Sequence, residues 1–315
     1  MQRAIETIAL ESPTGGQPRA ASMLVAVVIA ATAACPGPGR AETLLERGSY
    51  LVNTILACAN CHTPKTADGR AVEEKELAGG GLSFTTPAFN VTASNITPDP
   101  ETGIGAWSDD DIKQALTAGA RPAHARLPGA PLAAVMPAGF YKALLPRDLD
   151  AIVAYLRTVK PVRNAVRVPE YKAPVHRDAY PDAEAGFSED SLRDPVKRGA
   201  YLVTIGHCME CHSAWARGIS DYATGLGKGG RKFGPDLVQG FAADWQGSTA
   251  PNITSHTSKG IGGRSDADIK RAMTQGLGWD GRVLKPPMGY AWYAGLHEED
   301  VQAIVAWLRT VPPAE

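Results

Sequence analysis

Charge of one sign, long apolar runs and disulfide-forming cysteine are all scarce in this chain of 315 residues, and each scarcity removes a class of function. The 32 Lys and Arg against 33 Asp and Glu leave a net charge of −1. No basic field therefore speaks for nucleic acid. No apolar run spans a membrane convincingly; the longest, at residues 20–34, has the length of a signal h-region rather than a transmembrane helix. Only five cysteines occur, and four stand in two short motifs, so they build no disulfide framework. A phosphate-binding loop is missing too. Gly79-Gly80-Gly81 and the glycines between positions 225 and 234 are followed by no Gly-Lys-Ser and preceded by no expected strand, so they read as turns.

What is present is Cys58-Ala59-Asn60-Cys61-His62 and a second copy, Cys208-Met209-Glu210-Cys211-His212. Two cysteines two residues apart, followed at once by histidine, form the attachment site of a c-type haem. Each thiol adds across one vinyl group on the haem edge, and the next residue places its imidazole over the iron as proximal ligand. At this composition one chance occurrence is expected on the order of 0.002 times, and the chain has two. Zinc would want its ligands gathered in fours, and the remaining cysteine, Cys35, lies in a segment expected to be removed. A redox dithiol needs no histidine and sits between a strand and a helix. The motifs therefore predict two covalent haems, with Cys58, Cys61, Cys208 and Cys211 as attachment points and His62 and His212 on the irons.

The motifs belong to a longer repeat. Arg47-Gly48-Ser49-Tyr50-Leu51-Val52 returns as Arg198-Gly199-Ala200-Tyr201-Leu202-Val203, and Asn95-Ile96-Thr97 returns as Asn252-Ile253-Thr254. Gly103-Ile104-Gly105 returns as Gly260-Ile261-Gly262, and Ala151-Ile152-Val153-Ala154-Tyr155-Leu156-Arg157 as Ala303-Ile304-Val305-Ala306-Trp307-Leu308-Arg309. A period of about 150 residues is too long for a solenoid and signals a duplicated domain. Each copy reads as helices joined by long loops. Ser108 and Ser265 stand three residues before an aspartate as helix N-caps. Leu149, Ile152, Val153 and Leu156, with Val301, Ile304, Val305 and Leu308, have the three-and-four spacing of a closing amphipathic helix. The expected divisions are residues 42–160 and 195–315, separated by a proline-rich connector at 161–194 that packs over both.

A ligand serving the second side of each iron should recur at the same place in both copies. Met136 and Met288 do, 74 residues after His62 and 76 after His212. A thioether is a soft ligand, and a histidine–methionine pair raises the haem potential. The rivals fail the same control: His207 falls opposite Ala57, His256 opposite Asp99, His297 opposite Leu145 and Met273 opposite Leu116, while His124 has no evident counterpart and His176 lies in the connector. Asn95, Asn252, Thr97, Thr254 and Trp107, with Arg47 and Arg198, could hold haem propionates or could instead tie loops and caps.

The N-terminal 41 residues read as an export signal or anchor. Met23-Leu24-Val25-Ala26-Val27-Val28-Ile29-Ala30-Ala31 is its apolar centre, Gly39-Arg40-Ala41 permits cleavage after Ala41, and Met23 is an alternative start. Thr32-Ala33-Ala34-Cys35 is a poor lipoprotein box. Export fits covalent haem, which is attached outside the cytoplasmic membrane, so the periplasm is the expected compartment, either free or at the outer face of that membrane.

With these residues in hand, each copy resembles a class I cytochrome c domain. Asn95-Ile96-Thr97-Pro98-Asp99, Gly103-Ile104-Gly105-Ala106-Trp107-Ser108 and the stretch 136–159 are similar, more narrowly, to the cytochrome c subunits of membrane-bound bacterial alcohol and gluconate dehydrogenases. The resemblance covers about residues 44–160 and 195–312. It implies a mainly α fold of two tandem class I cytochrome c domains, each a small helical fold around one covalent haem. It also implies ligation by His62 with Met136 and by His212 with Met288, with no catalytic residue. The implied role is electron transfer from the catalytic subunit of a quinoprotein, flavoprotein or molybdenum dehydrogenase to quinone, another cytochrome or an oxidase. Two motifs stand here where those subunits typically carry three haems, and Arg264 replaces the tryptophan found at Trp107. The alternatives are a free periplasmic shuttle, or a dihaem enzyme of peroxidase or thiosulfate dehydrogenase type. An enzyme of that kind needs an open iron position and an acid–base group, which two matched methionines do not offer.

Overall fold

Ser108 and Ser265 do start helices. In the computed structural model, which describes residues 41–315 apart from Pro128 and Arg217, the Ser108 side chain accepts from the Asp111 amide and the Asp111 carboxylate returns to the Ser108 amide. Ser265 and Asp268 repeat the box. Each satisfies two of the orphan amides of its helix, worth about 0.5–2 kcal/mol. The expectations for the export segment, its cleavage and Cys35 fall on residues 1–40, outside the described residues.

The first copy contains helices α1 (Leu44–Asn53), α2 (Cys58–His62), α3 (Asp109–Ala118), α4 (Ala138–Tyr141) and α5 (Pro146–Thr158). Strands β1 (Ser83–Thr85) and β2 (Phe89–Thr92) lie between α2 and α3. The connector holds β3 (Glu170–Tyr171) and α6 (Pro181–Ala185). The second copy repeats the order with α7 (Pro195–Ile205), α8 (Cys208–His212), α9 (Asp266–Gln275), α10 (Tyr290–Tyr293) and α11 (Glu298–Leu308). Among the described residues, five short strands separate α8 from α9: β4 (Ala214–Ala216), β5 (Ile219–Asp221), β6 (Lys232–Phe233), β7 (Val238–Gln239) and β8 (Ser248–Thr249).

The opening helix of each copy packs on its closing helix across a glycine. A Cβ on Gly48 would meet the Ala151 carbonyl oxygen at 2.0 Å, and one on Gly199 would meet that of Ala303 at 1.9 Å. The repeated Arg-Gly-x-Tyr stretch is thus a close helix contact that no side chain could enter. The closing helices bury Ile152, Val153 and Leu156, and Val301, Ile304, Val305 and Leu308, as their spacing requires. Arg157 and Arg309 then reach back to the loops ahead of α3 and α9, donating to the carbonyls of Ile104 and Trp107 and of Ile261 and Arg264.

The copies do not stand apart. From Glu42 onward the chain is one compact unit, and one buried cluster takes in Leu51, Ile55 and Phe140 of the first copy with Tyr201, Leu202 and Val305 of the second. Two of the strands cross over: β7 of the second copy pairs antiparallel with β1 of the first, and β3 of the connector extends the same sheet through β2. The glycine-rich stretch between 225 and 234 is not all turn, because Lys232–Phe233 pairs with Ser248–Thr249. Two-residue strands carry no periodicity; their partners alone define them. The connector packs by Tyr180, whose ring lies 5.1 Å from both Phe140 and Tyr222.

Candidate haem site

Helices α2 and α8 are one turn and a half long, and both enter from a residue in the left-handed region, Ala57 at φ 45° and His207 at φ 42°. Neither is glycine, so each entry costs backbone strain of about 1–3 kcal/mol. The same conformation recurs in both copies, one residue before the first cysteine. At the other end His62 Nδ1 lies 2.6 Å from the Ser94 carbonyl and His212 Nδ1 lies 2.9 Å from the Pro251 carbonyl. A carbonyl only accepts, so Nδ1 carries the proton and donates, and Nε2 is left with its lone pair for a metal. Burial pushes both imidazoles below their ordinary pKa, which keeps the rings neutral, as ligation needs.

Both motifs open into a cavity of about 1470 Å³, well above the roughly 300–1,000 Å³ of an ordinary small-molecule pocket. Cys58, Cys61, His62 and Met136 line it, and so do Cys208, Cys211, His212 and Met288. All eight sequence-selected site residues share this one space. Met136 stands two residues before α4 and Met288 two before α10, so their placement matches as well. Leu56, Ile104, Ile112 and Leu156 supply apolar wall in the first copy, and Ile253, Ile261, Ile269 and Leu308 in the second. An apolar space of this size, reached by paired thiols and an imidazole with free Nε2, suits a flat macrocycle with an iron.

The thiols do not suit the other readings. Burial raises Cys58 to about 12 and Cys61 to about 11, and raises Cys208 and Cys211 to about 12. A redox dithiol works with a lowered thiol pKa. Among the described residues, no group of three or more His, Cys, Asp or Glu is gathered as a metal-ion site.

Several sequence candidates have other duties. Arg47 donates through Nε and Nη2 to Asp148 at 2.7 and 2.8 Å, and Arg198 donates to Asp300 and Glu299. Both arginines brace opening against closing helix, and a propionate role is not theirs. Asn95 and Asn252 accept from the Thr97 and Thr254 hydroxyls and donate to the carbonyls of Val162 and Ala314, which ties the chain after each closing helix to the loop. His124 Nε2 donates to the Ala106 carbonyl at 3.2 Å and lies 3.7 Å from the Asp111 carboxylate, half-exposed. Arg264, in place of the tryptophan, stacks 4.4 Å over Trp279, so an indole returns to that cavity wall from a different position.

Sequence reasoning missed Tyr141 and Tyr293. Both line the cavity, and burial lifts both phenols well above their ordinary pKa. The two tyrosines therefore border the space that both motifs enter. Their aromatic turns after each methionine were the available signal.

Residues 196–312 match the family described as Cytochrome c. Among curated relatives, the cytochrome c subunit of a quinone alcohol dehydrogenase from Gluconacetobacter polyoxogenes is 29% identical over 302 residues, covering 91% of this chain and 60% of the relative. The gluconate 2-dehydrogenase cytochrome c subunit of Pantoea cypripedii is 31% identical over 289 residues, 86% of this chain and 60% of that one. A protein of Cereibacter sphaeroides named as a diheme cytochrome c-type is 27% identical over 277 residues, 82% of this chain and 83% of its own. The chain thus spans about 60% of the length of these two dehydrogenase subunits. All three names designate cytochromes.

Proposed function

We propose that the chain is a dihaem electron-transfer protein that works as a subunit or dedicated partner of a dehydrogenase. The observation that carries this reading is the matched pair of buried imidazoles, each tied through Nδ1 to a backbone carbonyl and each sharing one cavity with two cysteines and a methionine. In this reading the halves at 42–160 and 195–315 hold one haem each through Cys58 and Cys61 and through Cys208 and Cys211. His62 with Met136, and His212 with Met288, would ligate the two irons. When bound, the haem supplies one-electron exchange between ferric and ferrous iron.

The chain does the rest. The carbonyls of Ser94 and Pro251 fix the imidazole planes, and the apolar walls exclude water, so little has to rearrange when the charge changes. Met136 and Met288 as second ligands beside the imidazoles would raise the potential and leave no iron position open to a substrate. That favours a carrier over a peroxidase or a thiosulfate-oxidising enzyme. The names of the relatives support a dehydrogenase catalytic subunit as donor, whether quinoprotein, flavoprotein or molybdenum enzyme, with quinone, cytochrome or oxidase as acceptor. Covalent haem and the apolar N-terminal segment support the periplasm, at or near the outer face of the cytoplasmic membrane. Among the described residues, no helix is long and apolar enough to cross a membrane.

One observation favours a second reading, a free periplasmic shuttle: the relative named as a diheme cytochrome matches this chain over most of both lengths. Purification of the native protein in mild detergent separates the two. Stoichiometric co-elution of a dehydrogenase activity, followed with an artificial acceptor, supports the subunit. A lone dihaem protein reduced by several donors supports the shuttle.

A further inference from the structure

We propose that Asn60, inside the first haem motif, is a positioning residue for the methionine of the opposite half, Met288. The inference rests on the axial role of Met288 proposed above. Met288 follows two prolines, Pro286 and Pro287, and a proline has no amide hydrogen. That segment can be anchored only by its carbonyls. Trp245 Nε1 and Ser248 Oγ donate to the Pro286 carbonyl at 3.2 and 2.7 Å, both from the same half. The carbonyl next to the methionine, that of Pro287, receives Asn60 Nδ2 at 3.2 Å from across the molecule.

The donor is itself held. The Asn60 amide donates to the Ala57 carbonyl at 2.8 Å, and Lys65 Nζ reaches the Asn60 carbonyl at 2.5 Å. The first half needs no such help. There the Met136 amide donates to the Ala133 carbonyl and the Met136 carbonyl accepts from Ala138, at 3.0 and 2.7 Å. Among the described residues, Met288 has no backbone-to-backbone bond of either kind. Nor can the contact be returned: Glu210 occupies the place of Asn60 in the second motif, and a carboxylate accepts but cannot donate to a carbonyl. The dependence runs one way, from the first motif to the second iron.

The test uses the mature dihaem protein with Asn60→Asp, which turns a donor into an acceptor, and Asn60→Ala, which removes the group. Proton NMR of the reduced protein reads the methyl of each ligated methionine, assigned with Met136→His and Met288→His, and carbon monoxide binding reads methionine dissociation at each iron. The expected result is a shifted or broadened Met288 methyl and about a fivefold rise in carbon monoxide binding at the second iron, the factor a lost neutral hydrogen bond is worth. The Met136 methyl stays in place. A Met288 signal indifferent to both substitutions, or a change confined to the first iron, overturns the inference alone. If the unsubstituted protein shows no ligated methionine at the second iron, the axial assignment fails first and takes the inference with it. Should Asn60→Asp not mature, Asn60→Ala carries the same readout.

Discussion

The Tyr201 hydroxyl donates to the Asp148 carboxylate at 2.6 Å, a bond from the opening helix of the second half to the closing helix of the first. Its mirror exists: Tyr50 of the first half donates to Asp300 of the second. Each aspartate also takes the arginine of its own half, Arg47 or Arg198, and each is almost wholly buried, at 3% and 1% exposure. The tyrosine oxygens do one thing more. They accept from the Leu145 and His297 amides, at the starts of α5 and α11, where neither helix has a side-chain cap of its own. One hydroxyl from across the interface therefore completes a buried ion pair and caps a helix. Burial, then the Asp148 charge and the bond to it, lifts the Tyr201 pKa well above that of a free phenol, so the hydrogen stays on the donor.

Tyr50→Phe and Tyr201→Phe keep the ring and remove the hydroxyl. Each leaves a buried carboxylate one donor short, and hydrogen bonds to charged groups are worth about 1.5–3 kcal/mol. Denaturant unfolding should show a loss of that size in each variant.

Gly48→Ala and Gly199→Ala place a methyl against the carbonyls of Ala151 and Ala303, at contacts that cannot be met without moving a helix. Overpacking of this kind costs about 1–3 kcal/mol or more. Thermal unfolding should fall for both, and by similar amounts, since the two clashes are nearly equal.

Met136→Ala and Met288→Ala each remove one thioether from the cavity. Redox titration should show one haem lowered in potential and one retained, and cyanide or carbon monoxide should then bind one iron readily. Undisturbed ligation at both irons would sink the axial assignment.

Acid should loosen α3 and α9. The Ser108 hydroxyl and amide hold the Asp111 carboxyl below its ordinary pKa, and Ser265 does the same for Asp268. A carboxylate depressed in the folded state contributes stability above its unfolded value, about 3.9, and loses it as pH falls through the lower folded value. Asp111→Asn should flatten the dependence of stability on pH below about 4, measured by denaturant titration across that window.

The parts legible in the sequence were local or repeated. Cys-x-x-Cys-His is contiguous, Ser108 and Ser265 sit one turn from the groups they cap, and the paired methionines were found because the chain is written twice. The interlock was not legible, because Tyr50 and Asp300 are 250 positions apart and neither residue type announces a buried partner. Arg47 and Arg198 looked available for propionates for the same reason: the aspartates that claim them lie a hundred residues further on. The pairing of β7 with β1 also escaped, since two residues cannot show an alternation and only the fold brings them together.

The most direct measurement of the central claim is the haem content of the chain matured in a host that attaches c-type haem, read as haemochrome absorbance per mole of polypeptide with intact mass alongside. The account predicts two covalent haems per chain, and one in a variant that carries Cys58→Ala with Cys61→Ala. A single haem in the unsubstituted chain, or two in that variant, would contradict it.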